Sequence, residues 1–338
     1  MSPPISVTTA GGWETHRGME LEAALRGDEE AFRRLVEPHR DALHAHCYRM
    51  LGSLHDAEDA LQETLLRCWR ALARFDRARP MRPWLFRIAT NVCMNALAQR
   101  SKRVLSLDVP SSEPGAGAGE PLGESLWLEP YPLAPEAGYE ERESVELAFV
   151  AALQHLVPAQ RAVLILRDVL GFTAREVSEQ LDTTTAAVNS SLQRARSTLA
   201  QALPDRTQQA TRRALGDARM RELVERYVTA WERRDVDALV AILAEDVTFA
   251  MPPHPHWWNG REDVIAFVAS TGLPDTRFVR TEANGQPAVA WYVSETPGEP
   301  HTGRSIEVLA FDRDRVSAIV AFVSKRLFAS FGLPPELD

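Results

Sequence analysis

Cysteine is scarce in this 338-residue chain, and Cys47, Cys68 and Cys93 fall on apolar faces of helical patterns without any CxxC spacing. That argues against a zinc framework or a disulfide-stapled fold and leaves buried thiols as the reading. His44, His46 and Cys47 lie close together, but no second ligand pair follows, so neither a metal nor a cofactor is expected. Long hydrophobic runs are lacking too: none approaches the roughly 18 residues that cross a bilayer. The first twenty residues carry no apolar signal-peptide core, and Met19 is a second candidate start. A cytoplasmic location and no membrane partner are expected.

Positive charge is in deficit overall, at a formal −9, which at first argues against nucleic acid. Divided along the chain, the balance reads differently. Residues 21–103 are net +4, residues 104–144 net −8, residues 145–203 neutral and the remainder after 203 net −4. The acidity sits in one linker and the last domain, while the segment best suited to phosphates is locally basic.

The length suggests two or three domains, and 45% hydrophobic content is globular. Residues 1–18 lack periodicity and are expected to be disordered. From Glu20 a long helix carries Phe32, Leu35, Val36, Leu43, Cys47 and Met50 inward, with Pro38 able to kink or restart it and Gly52 ending it. Residues 56–103 then read as two amphipathic helices joined by a basic, proline-containing turn. Ala57, Ala60, Leu61, Thr64, Leu65, Cys68, Trp69 and Leu72 form the first seam. Pro83 opens the second helix, with Trp84, Leu85, Ile88, Val92 and Leu97 inward. A bundle over residues 19–103 follows.

Residues 104–144 change to a Pro-, Gly- and Ser-containing connector that nevertheless holds WLEPYP (127–132), whose aromatics call for burial. Residues 145–203 read as four helices. REVSEQLDTTTAAVNSSLQRAR has helix-turn-helix spacing, anchored by Val177, Leu181 and Val188 and capped by Thr184 or Thr185. A polar connector covers 204–216. From Asp217 two helices precede short alternating runs with an Asn284-Gly285 hairpin signal and a helix near 261–269, an α+β cone with a curled antiparallel sheet.

Several of these stretches resemble a known family. DAEDALQET (56–64) and RPWLFRIATNVCMNAL (82–97) are similar to the segments of extracytoplasmic-function (ECF) bacterial sigma factors that dock on the polymerase beta-prime subunit and that melt and read the minus 10 element. VPAQRAVLILRDVLGFTAREVSEQL (157–181) resembles sigma domain 4, although Asp182 stands where glycine is usual and Ser178 where alanine is usual. WLEPYP is similar to a linker word of ECF members with an extra C-terminal domain. WERRDVDALVAILAEDVTFAMPPHPHWWNGREDVIAFV (231–268) resembles the SnoaL-like domain.

The resemblance implies a multidomain fold, two all-α sigma domains and a SnoaL-like cone (217–338), with core RNA polymerase (beta and beta-prime) and promoter DNA as partners. It assigns polymerase binding to Asp56, Asp59, Gln62, Glu63 and Arg67, and minus 10 DNA to Arg79, Arg82, Trp84, Arg87, Asn91, Asn95, Arg100, Lys102 and Arg103. Minus 35 contacts fall on Arg175, Thr184, Thr185, Ala187, Asn189, Ser190, Gln193, Arg194 and Arg196. Taken singly, Trp69 and Trp84 read as core.

In the cone, Asp246, Met251, His254, Trp257, Trp258 and Arg261, with His256, would lie near a pocket mouth or wall. In catalytic relatives an Asp or His there acts as general base. Here Asp246 sits where capping explains it and the histidines alternate with prolines on a loop. A ligand-sensing or docking role is therefore expected, with the cone tuning domains 2 and 4 in cis and no enzymatic activity. The competing readings are a helix-turn-helix regulator that senses a ligand without polymerase, and an enzyme with a vestigial DNA-binding region.

Overall fold

The computed structural model describes residues 10–99, 103, 117–123, 127–132, 142–270, 274–296 and 298–338, with side chains from Gly18 onward. Arg100, Lys102 and most of the linker lie outside the described residues.

The N-terminal helices are α1 (Ala10–Leu25), α2 (Glu29–Val36), α3 (Arg40–Leu51), α4 (Leu54–Ala71) and α5 (Met81–Ala98). Helix α1 begins inside the stretch expected to be disordered, because extending an existing helix needs no new nucleus. The single long helix expected from Glu20 is instead three pieces. Gly27 turns at φ 97, Asp28 caps α2 by accepting from the Glu30 and Ala31 amides, and Pro38 starts a single 3-10 turn before α3. Gly52, at φ 71, ends α3, and Ser53 caps α4 through the Asp56 amide. Helix α5 starts two residues before Pro83, whose missing N–H is harmless in a first turn.

The second helical group is α6 (Leu147–Gln154), α7 (Pro158–Leu164, continued by a π turn over Ile165–Val169), α8 (Ala174–Gln180) and α9 (Thr185–Ala202). Thr173 and Glu176 form a reciprocal capping box on α8, and Thr184 caps α9 through the Ala187 amide at 3.1 Å. Val188, Leu192, Ala195 and Leu199 bury one stripe of α9.

After α10 (Gln208–Leu215) come α11 (Asp217–Glu232), α12 (Val236–Ile242), β1 (Leu243–Ala250), β2 (Trp257–Asn259), α13 (Arg261–Ser270), β3 (Asp275–Ala283), β4 (Gln286–Ser294), β5 (His301–Asp312), β6 (Arg315–Phe322), α14 (Leu327–Ser330) and β7 (Glu336–Leu337). The sheet order is β2-β1-β6-β5-β4-β3, with β7 on β5. It is mixed rather than purely antiparallel, since β1 and β6 pair in parallel. Those two strands are far apart in sequence, so no hairpin constrains their direction. Asn284 (φ 55) and Gly285 (φ 66) supply the two positive φ angles of the β3–β4 turn.

Both faces of this sheet are buried. Val289, Leu309, Phe311, Ile319 and Ala321 face α11–α13 inside the cone. Ala288, Ala290, Tyr292, Ile306, Val308, Val320 and Phe322 join a second core continuous with α2–α9, Leu128 and Tyr131. The linker segment 127–132 is thus packed between the N-terminal bundle and the back of the sheet.

Candidate nucleic-acid interface and interdomain junction

On α4, Asp59 and Gln62 are exposed, and Arg67 donates to Glu63 at 2.6 Å beside them. Leu66, missed by the sequence reading, shares this face and is 49% exposed. It adjoins Leu65, Trp69 and Phe32 in a shallow groove of the same helix pair. Asp56 is placed differently from these five: it is 7% exposed and pairs with Arg103 at 2.6 Å, while Arg103 also donates to the Trp127 carbonyl at 2.6 Å. Neither Asp56 nor Arg103 is presented to a partner in this arrangement.

The basic end of α5 meets α8 and its flanking turns. Arg82 donates to the Leu170 carbonyl at 2.9 Å, with its guanidinium 4.5 Å from the Phe172 ring centre. Phe86 meets Phe172 edge to face at 5.6 Å. Arg87 pairs with Asp182 at 3.1 Å, and Arg79 with Glu179 at 3.3 Å. Trp84 is half-buried against Phe75, 4.9 Å between ring centres, while Asn91 and Asn95 are exposed. The aromatics and cations of this segment lie together, with carboxylates of the helix-turn-helix as their counter-charges.

On that unit Thr185, Ala187, Asn189, Ser190 and Gln193 are exposed on α9. Arg194 reaches Ser190 of its own helix at 2.8 Å, Arg196 pairs with Asp168 at 2.7 Å, and Arg175 bonds Glu179 at 3.2 Å. The Thr184 hydroxyl is committed to its cap.

The WLEPYP segment builds the junction. Glu129 accepts from the Ser53 hydroxyl (2.7 Å) and the His55 amide (3.1 Å), and its own N–H donates to the Gly52 carbonyl (3.0 Å). Tyr131 stacks on Tyr48 at 4.4 Å and hydrogen-bonds His44 at 3.0 Å. Into this inserts Asn284, which is fully buried. Its Oδ1 accepts from the Tyr131 amide (2.9 Å) and its Nδ2 donates to the Tyr48 hydroxyl (2.8 Å) and the Val145 carbonyl (2.7 Å). Beside it Glu146, at the start of α6, caps α10 by accepting from the Gln208 and Gln209 amides at 3.0 and 2.7 Å. Burial pushes the Glu146 carboxyl up to about 7 against those two hydrogen bonds. Arg49 of α3 donates to the Ser144 carbonyl at 2.9 Å, and Arg161 of α7 donates to the Met50 carbonyl at the end of α3.

The residues expected around a cone pocket differ in exposure and in partners. Asp246 is exposed on β1, Trp258 is 1% exposed and stacked on Phe267 at 3.6 Å, and Met251 and Trp257 are half-buried. Arg261 approaches the Leu243 carbonyl at 3.4 Å. His254 bonds the Gly119 carbonyl at 2.7 Å, and His256 bonds the Gly117 carbonyl, so this loop holds the linker. Among the described residues of the cone the buried acid is Glu307, pushed up to about 7 by burial and accepting from the Tyr227 hydroxyl at 2.8 Å. Sequence reading missed it because an acid on an alternating strand looks like a solvated one. Among the described residues no three His, Cys, Asp or Glu side chains are placed to hold a metal ion.

Family models for sigma-70 region 2, sigma-70 region 4 and the SnoaL-like domain match residues 35–103, 146–199 and 224–323. The ECF RNA polymerase sigma factor SigG of Mycobacterium tuberculosis is 43% identical over 332 residues, covering 95% of this chain and 88% of that protein. The chain belongs to the ECF sigma factors. This sigma factor also matches SigW of Bacillus subtilis at 36% identity over 80 residues, 24% of this chain and 43% of that one. Its fold is that of the ECF sigma factor SigJ of M. tuberculosis, with a TM-score of 0.59 at 20% identity, covering 88% of this chain and 98% of the other.

Proposed function

We propose that this sigma factor carries core RNA polymerase to its promoters in the cytoplasm and is restrained by its own C-terminal domain. In this reading the α4 face of Asp59, Gln62, Glu63, Leu66 and Arg67 docks on the beta-prime subunit, and the helix-turn-helix unit lies against beta. Arg79, Arg82, Trp84, Arg87, Asn91 and Asn95, with Arg100 and Lys102, handle minus 10 DNA. The α9 residues from Thr185 to Arg196 read minus 35. Asp56 and Arg103 act instead as a latch on the linker.

The observation that carries the regulatory half is that cations of the minus 10 surface are paired with carboxylates of the helix-turn-helix unit, Arg79 with Glu179 and Arg87 with Asp182. Promoter elements about 17 to 20 base pairs apart lie about 60–70 Å apart at roughly 3.4 Å per pair. Domains held in contact cannot occupy both. A 41-residue linker extends to about 135 Å at about 3.3 Å per residue, ample for separation. The SnoaL-like domain is the clamp rather than an enzyme. Asp246 is exposed to solvent, His254 holds a linker carbonyl and Trp258 is core.

Asn284→Ala in the full chain tests this. Run-off transcription with core polymerase should rise several-fold over wild type, and the radius of gyration should grow beyond the about 20 Å of a compact chain this long. Unchanged values of both would remove the cis-restraint reading. Tight promoter binding without core enzyme would favour the stand-alone regulator instead.

A further inference from the structure

Phe172 lies in the turn between α7 and α8 and is 2% exposed. Its ring contacts are with α5. It meets Phe86 edge to face at 5.6 Å, and the Arg82 guanidinium stands 4.5 Å from its centre and 5.3 Å from that of Phe86. The same guanidinium donates to the Leu170 carbonyl at 2.9 Å. Gly171, at φ 72, makes the turn that lets a carbonyl and a ring two residues apart reach one cation. Apolar packing accounts for Phe172 on Phe86, but not for a guanidinium held between a ring and a carbonyl. A π face beside a carbonyl acceptor is what an unstacked nucleobase offers an arginine. Before and after Arg82 in the chain, Arg79 and Arg87 meet Glu179 and Asp182, anions where a strand carries phosphates.

We propose that Arg82 and Phe86 form a cradle for one unpaired base of the opened minus 10 strand, and that residues 170–182 occupy it as an imitation of that strand. Phe172 and the Leu170 carbonyl stand in place of the base, Glu179 and Asp182 in place of phosphates. Phe86 is 0% exposed with Phe172 against it, so a base reaches it only after that ring has left. The inference rests on the cis-restraint reading and adds what the restraint excludes. Single strand and helix-turn-helix unit compete for one surface, and the strand gains only from the opened arrangement.

The probes are a short fluorescent oligothymidylate and an abasic oligomer of the same length and charge, titrated into the full chain with anisotropy as the readout. Phe172→Ala should bind oligothymidylate about tenfold more tightly than wild type does, the order of effect of one stacked base, and bind the abasic oligomer as wild type does. Adding Arg82→Ala should remove the difference between the two probes. Phe172→Leu keeps apolar volume against Phe86 and should give the same ordering with a smaller gain, which keeps the test open if the alanine variant does not fold. Equal gains for both probes would mean that only charge was uncovered, and no gain for either that the ring blocks nothing. Each result overturns the proposal. Asn284→Ala separates the two claims. If it neither activates nor expands while Phe172→Ala still prefers oligothymidylate, the restraint fails and the cradle stands. If it activates and Phe172→Ala shows no such preference, the cradle fails alone.

Discussion

Asn284 combines two demands that few side chains meet together. Its backbone sits at φ 55 in the β3–β4 turn, and its amide satisfies the linker and the approach to α6 simultaneously. The turn was legible because Asn-Gly is local chemistry. The docking was not, since Tyr48 and Tyr131 lie 236 and 153 residues away in the chain. Glu146 poses the complementary case of a buried charge. Its carboxyl titrates near 7 when folded against an ordinary 4.5, with Glu143 raising it and Arg213 lowering it beyond burial and the two amide bonds. Between those values the folded state binds more protons than the unfolded one, so stability is full below the lower value and falls as pH rises through the upper. Glu307 contributes a slope of the same sign. Glu146→Gln should therefore cost stability at about pH 5, where a hydrogen-bonded acid is replaced, and shrink the loss between about pH 5 and about pH 8. Urea midpoints at the two values check this. An unaltered difference would mean that Glu146 does not titrate in that window.

The elements that could be read from the sequence were those whose partners are close in the chain. The α9 stripe repeats Val188, Leu192, Ala195 and Leu199 at four- and three-residue steps, so its outward face was predictable. The α4 face was legible in its charges but not in Leu66, which a seam-based reading assigns to no side. The strands were harder. Reading QPAVAWYV (286–293), RSIEVLAF (304–311) and VSAIVAFV (316–323) as short alternating runs missed that AVAWYV and AIVAFV are apolar at nearly every step, the mark of a sheet covered on both faces. That signal was the trace of the interdomain junction. On the exposed face of α9, the Arg194 guanidinium donates to the Ser190 and Ser191 hydroxyls of its own helix. Arg194→Ala should leave the thermal midpoint within a degree or two, and should lower open-complex formation at a cognate promoter about tenfold. The same loss on a template with a scrambled minus 35 element would assign Arg194 to phosphate rather than to a base.

Across the whole molecule, exposed ion pairs and buried contacts, among the latter Phe86 on Phe172 and Arg82 on the Leu170 carbonyl, hold the DNA-reading surfaces together, and they differ in strength. Arg79–Glu179 and Arg87–Asp182 are open to solvent, with side-chain exposures of 68% and 48% in the first and 45% and 80% in the second. Pairs so exposed contribute about 1 kcal/mol together. Trp127, Leu128 and Tyr131 are almost wholly buried at the junction, and each contributes about 2 kcal/mol on that account before the hydrogen bonds of Asn284 and Glu129 are added. The clamp is therefore the buried contacts, the linker on the sheet together with Phe86 on Phe172, and the ion pairs only set how the DNA-reading faces meet once it has closed. A Glu179→Ala, Asp182→Ala double variant should accordingly raise run-off transcription by no more than about fivefold and keep the compact radius near 20 Å. Added salt should change either quantity little in the wild type, because screening acts on the weaker contacts. Expansion of that double variant to the dimensions of Asn284→Ala would reverse the ranking and make the surface charges the latch.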